Sequence, residues 1–440
     1  MTPAARIQAA IQLLDSILSS WQSEKRIPAD KALDRHFKAN RYIGSKDRGT
    51  ISELIYWVLR HKAALEWYIT PLTAVTARTL VFTALMLRGD YDKDGLNHLS
   101  DDGKYTPSSI TSDEMKLLHI LAGKSVENRS MPDHVRLNYP EWTDERLRKS
   151  FGDQFETAMR TLNEQAPTDL RVNTLKTTRE ALQKGLAAEG FDNSTTPMSP
   201  VGLRLSKRGP IFTSRYFKEG CFEVQDEGSQ IIALLTDAAP GQRVIDFCAG
   251  AGGKTLAIAA AMENKGRILA WDTSEKRLSQ IKERLRRAGV DNVQIQTLES
   301  EHDSFIKRHK QSADRVLVDA PCSGSGTWRR NPDLKWRFTP HDLEEITVLQ
   351  RSILHSAARL VKKGGRLIYA TCSVFPQENE EQIEKFLTEV SNFRVVCAQN
   401  LWNNKSALVG DSVSYLWLTP HQDGTDGFFA AVLERVADES

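Results

Sequence analysis

The sequence predicts an α/β protein built on a doubly wound, mostly parallel sheet, with an all-helical region ahead of it. Three observations carry that expectation. From residue 243 onward, apolar runs that read as strands, near 243–247, 267–271, 292–297, 314–319, 366–370 and 428–433, alternate with helical patterns. This is the order of parallel β-α-β units, whose ligand crevice lies at the carboxyl ends of the strands. The first of these strands runs into Gly250, Gly252 and Gly253 and then a helix. In the first 125 or so residues, by contrast, apolar residues recur only at helical spacing.

Ile7, Ala10, Ile11, Leu14, Ile17 and Trp21 share a face of the first helix, and a second pattern, capped by Ser45, aligns Ile51, Leu54, Ile55 and Val58. Residues 64–88 and 112–122 continue in this style, whereas 89–112, rich in Gly, Asp, Asn and Ser, reads as a long loop. A helical domain over 1–125 follows. Pro132 and Pro140 flank a short helical pattern that reads as a connector, 126–164. Leu170 to Asn173 then form a strand, Thr178 to Gly190 a helix and Gly202 to Leu205 a return strand, a small α/β module over 165–225. The large α/β domain occupies 226–437. No internal repeat and no low-complexity tract interrupts the chain.

Composition excludes several classes. At 440 residues the chain calls for two or three domains, and 40% hydrophobic with 26% charged residues is ordinary for a globular protein. No apolar run reaches the roughly 18 residues that cross a bilayer, and no charged-then-apolar leader opens the chain; a cytoplasmic protein is expected. The five cysteines, Cys221, Cys248, Cys322, Cys372 and Cys397, lack paired metal-ligand spacing and are odd in number. Reduced thiols are expected, and no metal. The net charge of +2 hides an asymmetry: between Lys25 and Lys62, ten basic residues face only Asp30, Asp34, Asp47 and Glu53. A polyanion suits that stretch. A monomer is expected, since an enzyme with its own auxiliary domains needs no second subunit to complete its site.

The stretch Asp246, Phe247, Cys248, Ala249, Gly250, Ala251, Gly252, Gly253, Lys254, Thr255 combines a strand end, a glycine-rich turn and a helix start. Without side chains, glycines let backbone approach a ligand closely. The spacing is neither a dinucleotide fingerprint nor a P-loop, because Cys248 stands where the latter needs glycine. The next strand ends in Asp272, a carboxylate placed to accept hydrogen bonds from ribose hydroxyls or, alternatively, to cap the following helix. After the third strand, Glu299, Glu301 and Asp303 compete for a third acidic position.

Two cysteines stand apart. Cys322, in Asp319-Ala320-Pro321-Cys322-Ser323-Gly324, and Cys372, in Ala370-Thr371-Cys372-Ser373, both follow apolar strands over the expected crevice. A thiol beside a nucleotide-type site suggests covalent chemistry: addition of a thiolate to carbon 6 of cytosine makes carbon 5 nucleophilic toward an electrophilic methyl group. Asp319, three residues before Cys322, is placed to face the ring nitrogen. Cys221, Cys248 and Cys397 are expected to be small core residues.

These motifs resemble the Sun-type RNA 5-methylcytosine methyltransferases, the family that contains bacterial 16S rRNA cytosine methyltransferases. Further matches are Arg171-Val172-Asn173, Val224-Gln225-Asp226-Glu227, Arg329-Arg330-Asn331-Pro332-Asp333 and Asp426-Gly427-Phe428-Phe429, so the likeness spans residues 165 to 435. It implies a Rossmann-like, S-adenosylmethionine-dependent catalytic domain and an RNA substrate, rRNA first and tRNA as the alternative. It also implies Cys372 as nucleophile, Cys322 as the residue that assists release, and Asp319 beside the base. Cys248, Ala249, Gly250, Ala251, Gly252, Gly253, Lys254, Asp272, Glu299 and Asp319 would border the cofactor. Pro28 to Lys31 and Gly44 to Arg48 resemble a NusB-type RNA-binding domain, and 165–225 an RRM-like module. Arg329, Arg330, Lys335 and Arg337, interleaved with Trp328 and Trp336, are expected to hold phosphates and stack on unpaired bases. From a different class, an RNA-binding assembly factor with a relic catalytic domain remains the competing reading; retention of both thiols argues against it.

Overall fold

The computed structural model describes residues 1–23, 26–398 and 414–436, which leaves Lys25 of the basic stretch outside the described residues. The chain forms two compact units: residues 1–163 with 328–339, and residues 164–327 with 340–440.

The first unit is helical, with its longest elements at Pro3–Ser20, Ser45–Arg60, Ala77–Leu87 and Ala29–Ala39. The predicted stripes form its core: Ile7, Ala10, Leu14, Ile17, Ile51, Ile55 and Val58 are at most 3% exposed, and Ile11 and Trp21 pack against them. Two details differ from expectation. Ser45 is the first helical residue, not the cap; the cap position falls on Gly44, whose carbonyl already accepts from Arg48 N–H at 2.9 Å. Within the expected long loop, Asp92 caps a short helix, Lys93–His98, which the fully buried Leu96 anchors. One buried leucine suffices where periodicity was too short to read. The stretch expected as a connector belongs to this unit as far as Asn163.

The expectation that residues 328–337 present cations and rings to RNA is corrected. Lys335 is 1% exposed and donates to Asn138 O at 3.0 Å and Asn163 Oδ1 at 2.6 Å. Trp336 Nε1 donates to Leu59 O at 2.6 Å, and Arg337 pairs with Asp333 at 2.8 Å. Trp328 and Arg329 are buried as well. Trp328, Arg329 and Lys335 serve a polar core in the first unit, while Arg330, Trp336 and Arg337 are half-buried.

The second unit holds two sheets. In the smaller, β1 (Thr168–Val172), β2 (Asn193–Thr195), β3 (Gly202–Leu205) and β4 (Phe222–Val224) pair antiparallel in the order β2-β3-β1-β4. Helices Arg179–Ala188 and Arg215–Lys218 complete a β-α-β-β-α-β, ferredoxin-like pattern. The larger sheet comprises β5 (Arg243–Asp246), β6 (Arg267–Asp272), β7 (Val293–Thr297), β8 (Ala313–Asp319), β9 (Val361–Thr371), β10 (Phe393–Val396), β11 (Leu416–Leu418) and β12 (Phe428–Arg435). Its order is β10-β12-β9-β8-β5-β6-β7, with β11 also on β12. β7, β6, β5, β8 and β9 run parallel, and β12 is antiparallel to β9. Strand order reverses between β5 and β8, so a crevice opens beyond their carboxyl ends.

The two sheets are joined by buried polar contacts. Asn173 donates to Gly220 O and Ala288 O, each at 2.8 Å, and Arg204, gripped within the small sheet by Asp169, donates to Gly424 O at 3.2 Å. Glu223 on β4 meets both Arg284 and Arg287 of helix Glu275–Ala288.

Candidate active site

Four strand ends converge on one cavity of about 620 Å³, a volume typical of small-molecule sites. Asp246 ends β5, Asp272 ends β6, Asp319 ends β8, and Cys372 directly follows β9. Asp246 is 1% exposed; its Oδ2 accepts from Thr255 Oγ1 at 2.6 Å, while its Oδ1 is buried with no partner. Burial, followed by the nearby Asp319 and Asp272 charges, raises its pKa to about 7 against the pull of Thr255 and Lys254.

The glycine turn takes the shape expected of it. Gly250 and Gly252 adopt left-handed conformations (φ of 56° and 81°), and Gly250 N–H donates to Asp272 Oδ2 at 2.9 Å. Asp272 Oδ1 accepts from Ser274 N–H at 2.7 Å, although the cap of the following helix is Ser274 itself. Asp272 therefore ties the turn to the helix start while it faces the cavity. Two arginines hold the turn from behind: Arg171 donates to Gly253 O and Arg284 to Ala251 O. Lys254, the residue that mimics a P-loop, sends its ammonium to Asp319 at 2.6 Å, and Thr255 is committed to Asp246. Burial opposes the Lys254 charge, but Asp319 outweighs it and the pKa rises.

Of the expected cofactor residues, Cys248, Ala249, Gly250, Ala251, Gly253, Lys254, Asp272 and Asp319 line the cavity. Gly252 does not, since its backbone turns toward Ile281, where a Cβ would sit 2.9 Å from that side chain. Glu299 is also absent from the lining. Leu298 and Glu301 stand there instead, because Asp303 caps the next helix and draws Glu299 N–H to itself at 2.8 Å. Glu301 Oε1 accepts from Ser352 Oγ at 2.7 Å.

Both predicted thiols reach the same cavity wall, with Cys322 Sγ and Cys372 Sγ 3.3 Å apart. Their loops run side by side: Ala320 N–H donates to Ala370 O at 2.8 Å, and Gly326 N–H to Cys372 O at 2.9 Å. The contact with Cys372 and then burial push the Cys322 thiol well above its usual pKa. Burial does the same to Cys248.

Residues 233–434 match the family described as 16S rRNA methyltransferase RsmB/F, and residues 139–212 match the RsmF/B-like ferredoxin-like domain. A probable ribosomal RNA small subunit methyltransferase B from Synechocystis sp. is 35% identical over 301 residues, 68% of this chain and 67% of that protein. Ribosomal RNA small subunit methyltransferase B of Pectobacterium carotovorum is 30% identical over 413 residues, 90% and 92% of the two chains. The chain belongs to the RsmB/F methyltransferase family. The crystal structure of PH0851 aligns with a TM-score of 0.81 at 28% identity and covers 99% of each chain.

S-adenosylmethionine is the cofactor of this RsmB/F domain, and the cavity suits it. A buried carboxylate oxygen without a partner, a second carboxylate at the next strand end, open glycine backbone and the apolar Phe247, Leu298, Leu349 and Ile353 together offer partners for a cationic amino acid, a ribose and a purine.

Several residues that matter here carried no readable signal. Glu378 is fully buried behind the two thiols, and Gln350 lies on helix Pro340–Ala358 with no exposure. Arg284 reads as one more charge on an exposed helix. Arg171 and Gln225 lie in quoted motifs, but only the fold reveals that Arg171 binds both Gln225 and the glycine turn.

Proposed function

We propose that this protein transfers a methyl group to carbon 5 of a cytosine in 16S ribosomal RNA through a covalent adduct with Cys372. The observation that carries this reading is the pair of thiols 3.3 Å apart on the wall of the cofactor-type cavity, beside Asp319. S-adenosylmethionine, when bound, supplies the electrophilic methyl group. The Cys372 thiolate adds to carbon 6, forming the S–C6 bond and moving electron density to carbon 5; Asp319, held by Lys254, faces the ring-nitrogen edge. After methylation a base removes the carbon-5 proton, the electron pair restores the ring double bond, and the S–C6 bond breaks with Cys372 as leaving group. Cys322, whose raised pKa keeps it a thiol, assists that release. Glu301 takes the third acidic position toward the cofactor.

For the RNA to present a pyrimidine face to Cys372, the base must be unstacked. Five of the ten basic residues in the N-terminal stretch, Lys31, Arg35, Lys38, Arg41 and Lys46, are exposed, and Tyr42 beside them is 73% exposed. Cations flanking an open ring suit backbone contact and stacking on single-stranded RNA. Among the other described residues of the stretch, Arg26 donates to Arg337 O, Arg48 to Ile43 O, Arg60 to Asn163 O and Lys62 to Glu66.

The test is a denaturing gel of Cys322→Ala produced in cells, with and without ribonuclease. A ribonuclease-sensitive upward shift that disappears in the Cys322→Ala/Cys372→Ala double variant is expected, and sequencing the trapped RNA names the cytosine. A shift that appears instead in Cys372→Ala would reverse the two roles.

A further inference from the structure

We infer that Glu378 and Gln350 form a positioning pair that fixes the peptide on both sides of Cys322, so that its thiol stands against Cys372 for the release step; this rests on the cysteine roles proposed above. Glu378 ends the turn Pro376–Glu378 and is 0% exposed. Its Oε1 accepts from Ser323 N–H at 2.8 Å and from Gln350 Nε2 at 3.0 Å. Its Oε2 accepts from Ser323 Oγ at 2.5 Å and from Ser373 Oγ. Gln350 Nε2 also donates to Pro321 O at 2.9 Å.

The residues before and after Cys322 are therefore gripped by two side chains that also bind each other. The residue after Cys372 meets this pair only through its hydroxyl, and its backbone is held by other groups, its N–H donating to Thr371 Oγ1 at 3.2 Å and its carbonyl accepting from Asn379 Nδ2 at 3.0 Å. Ser325 Oγ, 3.0 Å from Ser373 Oγ and accepting from Val374 N–H at 2.9 Å, closes the network between the two loops. A buried carboxylate is costly unless its oxygens are filled, and four donors fill these. Such an investment beneath two loops, with no oxygen left for substrate, marks a part that aims another group rather than one that reacts. Glu378 also contributes, after Cys372 and burial, to keeping the Cys322 thiol protonated.

The experiment compares Glu378→Gln and Ser323→Ala with Cys322→Ala in the full-length protein. Glu378→Gln keeps the shape but turns an NH2 group toward donors; Ser323→Ala removes one hydroxyl arm and leaves the Glu378 carboxylate and the Ser323 N–H bond in place. Turnover, S-adenosylmethionine binding and the denaturing-gel adduct are read in each. Both variants are expected to lose kcat, by about 100-fold for Glu378→Gln, to bind S-adenosylmethionine within about twofold of wild type, and to accumulate the ribonuclease-sensitive adduct as Cys322→Ala does. Normal turnover in both, a parallel loss of cofactor binding, or inactivity with no adduct while Cys322→Ala traps RNA would each overturn the positioning role. If Cys322→Ala itself traps nothing, the failure lies instead with the proposed cysteine chemistry.

Discussion

Asp246 shows how a single residue couples the site to pH. Its folded-state pKa of about 7 lies above the ordinary carboxylate value, chiefly because of burial. A raised folded pKa means that its contribution to stability is fully present below the unfolded value, near 4, and is lost as pH rises through 7. In cofactor-free protein, Asp246→Asn removes that titration. The thermal midpoint of wild type is expected to fall relative to the variant between pH 5 and 8.5, by the equivalent of a few kcal/mol; parallel curves would show that the carboxylate is not held in this state. A second residue-level expectation concerns the proposed nucleophile. Cys372→Ala should abolish methyl transfer and leave S-adenosylmethionine binding nearly intact by calorimetry, since eight other expected residues line the cofactor cavity; full activity would remove Cys372 from the mechanism. At this scale the sequence named the thiols and the three strand-end aspartates, because the aspartates close apolar strands and the thiols lie in the turns that follow such strands. Glu378 and Gln350 could not be read, as a carboxylate in a Pro-containing turn and an amide inside an amphipathic helix look like surface residues until the fold buries them.

Among elements, the small motifs acquire their meaning from what they touch. Asp426-Gly427-Phe428-Phe429 starts β12, where Gly427 N–H donates to Gly326 O at 2.8 Å and the Asp426 N–H reaches Asp226 at 3.2 Å. A Cβ on Gly427 would lie 2.8 Å from both Gly326 Cα and Val374 Cγ1. Backbone passes against backbone here, beside the loop whose Gly326 holds the Cys372 carbonyl. Gly427→Ala is expected to lower stability by about 1–3 kcal/mol in denaturant titration and to reduce turnover at the same time. An unchanged unfolding midpoint would mean that the strand start tolerates displacement. Elements with long periodic patterns were legible in the sequence, including all the parallel strands. The short antiparallel strands β2, β4, β10 and β11 were not, because three or four residues carry too little period to separate a strand from a loop.

At the scale of the molecule, residues 328–339 lie between the two cysteine motifs in sequence but belong to the helical unit. Lys335 is the clearest case, since burial, and then Arg60, hold its pKa well below the usual lysine value, as expected of a buried donor. Lys335→Ala strips the partners from Asn138 O and Asn163 Oδ1, and is expected to destabilise the protein by about 1–3 kcal/mol while leaving RNA affinity unchanged. Weaker RNA binding at unchanged stability would restore these residues to the RNA surface.

The sequence by itself determined the doubly wound sheet, the helical first unit, the cofactor turn and the two thiols, because periodicity and turn chemistry are local properties of the chain. Tertiary structure alone decided which carboxylates face the cavity, which basic residues are exposed, and which side chains bind the peptide around Cys322. Burial and partner choice depend on residues far apart in sequence: Glu301 replaces Glu299 at the cavity because Asp303 caps the next helix, and Lys335 becomes a core donor because Asn138 and Asn163 fold around it. No local pattern records such long-range pairings.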